Sequence, residues 1–187
     1  GMKVIILDPT PNCPAGQVAD EQIVAPYADT KAIEKLADKA DVLTYEFENV
    51  DLNALEDVQD RVYLPQGTNL LYTTKNRLRE KNFLRQAGVK TAPFMAVHTS
   101  AELKDAVKKI GYPAVLKTSE GGYDGHGQEV LRNKDDLDKC APILATGDCI
   151  LEGWVPFNRE FSVMVGRNED GEITAFPVSE NIHHDEI

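Results

Sequence analysis

Long apolar runs, an excess of positive charge, paired cysteines and the two commonest nucleotide fingerprints are all missing from this 187-residue sequence. No apolar stretch approaches the ~20 residues that span a bilayer, and no signal-peptide pattern opens the chain, so no membrane partner is expected. Lysine and arginine number 20 against 31 acidic residues, a formal net charge of −11. That balance argues against a general nucleic-acid binder, which needs a basic face, but leaves room for a small polyphosphate held by a local cluster of cations. Cys13, Cys140 and Cys149 are odd in number, widely spaced and without metal-ligand spacing. They read as reduced thiols in a cytoplasmic protein. A Walker loop requires Gly-Lys-Ser/Thr opening a helix, and a dinucleotide fingerprint requires G-x-G-x-x-G between strand and helix; neither occurs.

What is present centres on residues 115–128. An apolar run over 112–116 delivers Lys117, a loop with four glycines in residues 121–127 follows, and a second extended run leaves over 129–132. The pattern predicts strand, glycine loop, strand. Glycines at this density let backbone N–H groups converge on one point without Cβ interference, which suits phosphate, and Lys117 adds a positive charge at the loop's base. A plain β-hairpin with a glycine-rich tip is the alternative reading. A glycine loop joining two antiparallel strands over a nucleotide is the ATP-grasp or kinase-like arrangement.

Upstream, strand and helix signals alternate, as in the remainder of a doubly wound parallel sheet. Strands are expected over 3–8, 22–25, 41–45 and near 61–64. Helices are expected from Asp29 or Thr30 to about 40, and near 52–58. Glu46 and Glu48 fall at the carboxyl end of the 41–45 strand, the edge where open α/β sheets bind ligands, and read equally as substrate contacts or as solvated loop acids. Pro65-Gln66-Gly67 marks a boundary, giving domains 1–71 and 72–187. In the second, Thr73 or Thr74 should cap a helix over 75–87, and Ser100 should start an amphipathic helix ended by Gly111. Further expectations are a helix over 135–144, strands over 148–152 and 159–165, and a hairpin turn at Asp170-Gly171 before a strand over 172–178.

Leu7-Asp8-Pro9, Pro14-Ala15, the run Asp41 through Tyr45-Glu46-Phe47-Glu48-Asn49-Val50, and Gly121-Gly122-Tyr123-Asp124-Gly125 with Gly127-Gln128 together resemble the N5-carboxyaminoimidazole ribonucleotide synthases. These are ATP-grasp ligases of purine biosynthesis. The resemblance runs along essentially the whole chain, and segments 44–50 and 121–128 are its most specific parts. It implies an α/β pre-ATP-grasp domain followed by a partial α+β ATP-grasp domain, and ATP with Mg²⁺ as cofactors. The implied substrates are 5-aminoimidazole ribonucleotide and bicarbonate, and the implied assembly is a homodimer.

The same resemblance implies roles for particular residues. Arg77 and Lys117 would contact ATP phosphates, under a loop formed by Gly122, Tyr123, Asp124, Gly125, His126, Gly127 and Gln128. Glu152, Gly153, Trp154 and Val155 would be the hinge whose backbone meets the adenine edge, Glu160 would hold the ribose hydroxyls, and His183 would be a further nucleotide contact. Glu46, Glu48, Tyr123 and Asp124 are the candidates on the substrate side. His126 departs from the lysine or arginine usual in the family. The family's opening strand would precede Gly1, and its Mg²⁺-binding acids would follow Ile187, so the 187 residues alone are expected to be inactive. Two rivals remain at this stage: another ATP-grasp ligase, such as the formate-dependent glycinamide ribonucleotide transformylase, and a non-catalytic nucleotide-binding fragment.

Overall fold

The computed structural model describes residues 1–122 and 127–182. They form two compact units, Gly1–Thr91 and Ala92–Ile187, each with its own apolar core.

In the first unit, β1 (Ile5–Asp8) and β2 (Glu21–Val24) pair in parallel, with Leu7 opposite Ile23. Helix α1 (Thr30–Ala37) starts at Asp29, whose side chain accepts the Ala32 N–H, and it buries Ala32, Ile33 and Ala37. Helix α2 (Leu52–Val58) is capped in the same way by Asp51 and buries Ala54, Leu55 and Val58. Ile33, Ala37, Leu43, Leu55, Val58, Val62 and Leu71 make one cluster. The expected strands over 41–45 and 61–64 are reduced to a single parallel bridge between Val42 and Tyr63. The cause is local. The Gln66 side chain accepts from the Tyr45 N–H at 3.2 Å and donates to the Tyr45 carbonyl at 2.9 Å, taking the groups a ladder would need.

The expected 75–87 helix is displaced as well. Thr73 and Thr74 lie inside α3 (Asn69–Thr74), where their hydroxyls bond the carbonyls four residues back. A separate helix, α4 (Arg77–Gln86), is capped by Asn76, whose carbonyl oxygen accepts from Leu78 and Arg79. Thr73 and Thr74 have helical backbone inside α3, whereas an N-cap needs the extended backbone that Asn76 takes, φ −122° and ψ 116°.

The second unit is built on a four-stranded antiparallel sheet. Its strands are β3 (Phe94–Val97), β4 (Ala114–Thr118), β5 (Gln128–Leu131) and β6 (Cys149–Gly153), in the order β3-β6-β4-β5. Helix α5 (Ser100–Ile110) starts at Ser100 and ends at Gly111 as expected, capped by Thr99, whose hydroxyl accepts the Glu102 N–H. Leu103, Ala106 and Val107 of α5 pack with Val97, Ala114, Leu116, Leu131, Cys149 and Leu151, closing one sheet face. Strand alternation puts Val115, Lys117, Ile150 and Glu152 on the other face. The helix expected over 135–144 divides into a 3-10 turn, Lys134–Cys140, and a short α6, Ala141–Leu144.

The single strand expected over 159–165 is two strands, β7 (Glu160–Ser162) and β8 (Val165–Arg167). β8 pairs with β9 (Ile173–Ala175) across a turn in which Gly171 takes φ +83°, and β7 pairs with β10 (Ser179–Asn181). This stretch carries exposed apolar side chains, among them Phe157, Phe161, Met164, Ile173 and Phe176. No helix among the described residues is long and apolar enough to cross a membrane. Cys13, Cys140 and Cys149 are buried thiols, and burial pushes Cys140 up to about 11.

Candidate functional site

The glycine loop joins the inner strand β4 to the edge strand β5 of the second unit's sheet. β4 and β5 pair so that Lys117 stands opposite Gln128, and the Thr118 N–H reaches the Gly127 carbonyl at 2.9 Å where the loop returns. Gly127 takes φ +71°, and a Cβ there would meet the Thr118 hydroxyl oxygen at 2.9 Å. Both features require glycine at this closing position. Residues 123–126 lie outside the described part of the structure, and with them the candidates Tyr123, Asp124, Gly125 and His126; His183 does also.

The Lys117 ammonium donates to a Glu152 carboxylate oxygen at 3.1 Å. Lys117 is mostly buried and Glu152 nearly fully so, with side chains 28% and 10% exposed. They sit on neighbouring strands, Val115 opposite Glu152 and Lys117 opposite Ile150, so the two charges meet diagonally on one face. A buried ammonium without an opposite charge would be costly, and this pairing offsets that cost. Ser119 continues the ladder beyond β4, its N–H donating to the Asp148 carbonyl at 2.8 Å. Its hydroxyl is buried and has no hydrogen-bond partner among the described residues. A buried hydroxyl at the root of a glycine loop is suited to a polar ligand entering there.

After Glu152 the chain leaves the sheet through Gly153 and the exposed Trp154 and Val155. Gly153 donates to the Pro93 carbonyl at 2.8 Å and Trp154 to the Pro113 carbonyl at 3.1 Å, which pins this segment against the strand starts. Beside it opens a cavity of about 430 Å³ lined by Tyr112, Pro113, Val130, Arg132 and Trp154. Glu160 accepts from the Asn181 side chain at 2.9 Å, and Asn181 in turn accepts from the Ser162 hydroxyl at 2.7 Å. Nothing in the local sequence pattern around Glu160 marked Asn181 as its partner, since 21 residues separate them.

The remaining candidates belong to the first unit. Arg77 is half-buried in the first turn of α4. Glu46 and Glu48 are both exposed, on either side of a half-buried Phe47. The Phe47 ring stands edge-on to Tyr27, centroids 4.8 Å apart, and the Tyr27 hydroxyl donates to Asp8 at 2.7 Å. The Thr10 N–H also reaches Asp8 at 2.7 Å. Tyr27 and then Thr10 hold the Asp8 carboxyl below its ordinary range, while Asp8 and burial push the Tyr27 phenol up to about 12. Sequence reading missed Tyr27, because a single tyrosine in a loop carries no pattern. The one signal available was Asp8 ending a strand at the ligand edge.

Comparison with known proteins bears on this arrangement directly. The ATP-grasp domain model matches residues 82–187, and the ribonucleotide synthetase preATP-grasp domain model matches residues 1–73. The chain is 50% identical over 187 residues to an N5-carboxyaminoimidazole ribonucleotide synthase of Bacillus subtilis, covering all of this chain and 49% of the relative. Against the same-named protein of Staphylococcus aureus the identity is 40%, covering all of this chain and 50% of the relative. The chain thus spans about half the length of the curated relatives it matches. Among solved structures, the S. aureus synthetase complexed with ADP superposes with a TM-score of 0.94 at 39% identity, over 99% of this chain and 50% of that one. The Aspergillus clavatus synthase in complex with ADP and 5-aminoimidazole ribonucleotide gives 0.86 at 29% identity, over 97% and 47%. With a family model covering more than half of its residues, and with a lysine-based glycine loop between antiparallel strands, the chain belongs to the ATP-grasp family.

Proposed function

We propose that this chain carries the nucleotide cradle of an ATP-dependent ligase that carboxylates 5-aminoimidazole ribonucleotide with bicarbonate, giving N5-carboxyaminoimidazole ribonucleotide in purine biosynthesis. The observation that carries the reading is the β4–loop–β5 hairpin with Lys117 at its base, in a chain 50% identical along its whole length to a synthase of that name. The buried Ser119 hydroxyl fits the same ligand, a polyphosphate seated where the loop springs from the sheet.

In this reading Lys117 and Arg77 face the phosphates, and residues 122–128, including Tyr123, Asp124, Gly125 and His126, fold over them. The backbone of residues 152–155 meets the adenine edge, Glu160 takes the ribose hydroxyls, and His183 adds a nucleotide contact. Glu46, Glu48, Tyr123 and Asp124 serve the ribonucleotide side. ATP phosphorylates bicarbonate, and the exocyclic amine of the ribonucleotide then attacks the carboxyphosphate, forming the carbamate and releasing phosphate. The chain's contribution is positioning and charge compensation for a reaction that needs little covalent help from protein. Mg²⁺ supplies further neutralisation of phosphate charge in such reactions. Among the described residues no cluster of three or more His, Cys, Asp and Glu side chains could hold a metal ion.

The protein is read as cytoplasmic and homodimeric, with a domain boundary after residue 71. The decisive experiment is ATP hydrolysis by the native gene product with bicarbonate present. Phosphate release that depends on 5-aminoimidazole ribonucleotide is the expected result, and release indifferent to that nucleotide would overturn the reading. The 187-residue polypeptide by itself is expected to show no such turnover.

A further inference from the structure

The hinge residue Glu152 has a side chain as well as a backbone, and that side chain does not point along the hinge. It reaches across the sheet to Lys117 at 3.1 Å, with only 10% of its surface exposed. The register fixes the geometry: Glu152 faces Val115 and Lys117 lies two residues further toward the glycine loop. The carboxylate therefore holds the ammonium from the side away from the loop.

An ammonium group has three N–H donors, and one engaged by Glu152 leaves two for other acceptors. A free lysine side chain is among the most mobile, and a ligand that must order it binds more weakly for doing so. We propose that the Glu152 carboxylate is a positioning residue for Lys117, keeping the ammonium extended over the sheet face with its remaining donors available to a nucleotide's phosphates. This rests on the reading of Lys117 as a phosphate contact. It adds that one residue sets both ends of the site, its backbone beginning the segment at the adenine edge while its carboxylate fixes the cation at the phosphate end.

The test compares ATP and adenosine dissociation constants for the native gene product and for its Lys117→Ala, Glu152→Asp and doubly substituted forms. Glu152→Asp keeps the charge but withdraws it by one methylene. It should weaken ATP about tenfold, the scale of one charge-assisted contact, and leave adenosine unchanged. In the Lys117→Ala background the same substitution should have no further effect on ATP. Glu152→Gln, nearly isosteric, carries the same comparison should the shorter acid fail to fold. Independent, multiplying effects of the two substitutions would overturn the positioning role while leaving the nucleotide reading intact, as would an equal loss of ATP and adenosine affinity. A Lys117→Ala protein that binds ATP normally would overturn both.

Discussion

At the scale of single residues, the site's features divide by whether they depend on spacing or on encounter. Lys117 was legible because its neighbours in sequence are also its neighbours in the loop. Lys117→Ala is expected to weaken ATP binding by roughly 1.5–3 kcal/mol, the range for hydrogen bonds to charged groups. Equilibrium titration of the native gene product checks this, with an unchanged melting temperature showing that the fold survives. Tyr27 was illegible because its partners, Asp8 and Phe47, come from two other segments of the first unit. Its phenol, pushed up to about 12, lies above the ordinary value near 10. The folded state thus holds that proton more tightly than the unfolded one, so the pair's stabilisation is complete below about pH 10 and is lost as pH rises toward 12. In an alkaline absorbance titration a tyrosine should ionise late, well above the ordinary value, and that late step should be missing from the Tyr27→Phe protein.

At the scale of elements, helices α1, α4 and α5 each start after a polar side chain whose backbone is extended, at Asp29, Asn76 and Thr99. Asp29 caps α1 as expected. Between α3 and α4 three candidates stood close together, and Asn76 is the cap because it alone has extended backbone, Thr73 and Thr74 being helical within α3. Replacing Asn76 by alanine should cost about 1 kcal/mol, while Thr74→Ala should cost much less, measured by urea unfolding of each protein. The 3-10 turn at Lys134–Cys140 shows the same chemistry with a charge. The Asp136 carboxylate pairs with Lys139 and accepts the Arg132 and Asn133 N–H groups, which holds it down at about 2. Its stabilisation is therefore full above about pH 4 and is lost as pH falls toward 2. The melting temperature of the Asp136→Asn protein should fall less steeply over that interval than the wild type's. Strand edges were the least legible elements. The 41–45 strand had the right composition, and Asp41 and Leu43 do bond the Tyr63 backbone, but at Tyr45 the partner is the Gln66 side chain, which no periodicity signals.

At the scale of the whole molecule, the order of elements was readable from alternation and punctuation, whereas the pairing of distant strands was not. Two cores result. Leu55→Ala and Leu103→Ala remove fully buried side chains from the first and second cores respectively, and each should cost about 2–5 kcal/mol. Hydrogen exchange should report the first loss within residues 1–91 and the second within 92–187. The sheet of the second unit has one further consequence, concerning synthesis. Its central strand, β6, lies between β3 and β4 yet follows both in sequence, with Phe94 waiting for Glu152 and Leu116 for Leu151. During translation the β4–β5 hairpin can close at once, whereas β3 and the inner edge of β4 emerge from the ribosome as unpaired strands. The β1–β2 pairing of the first unit lies wholly within residues 5–24 and precedes that sheet in the chain. The strands of this sheet are thus exposed to mispairing on the ribosome between the appearance of β3 and the arrival of β6.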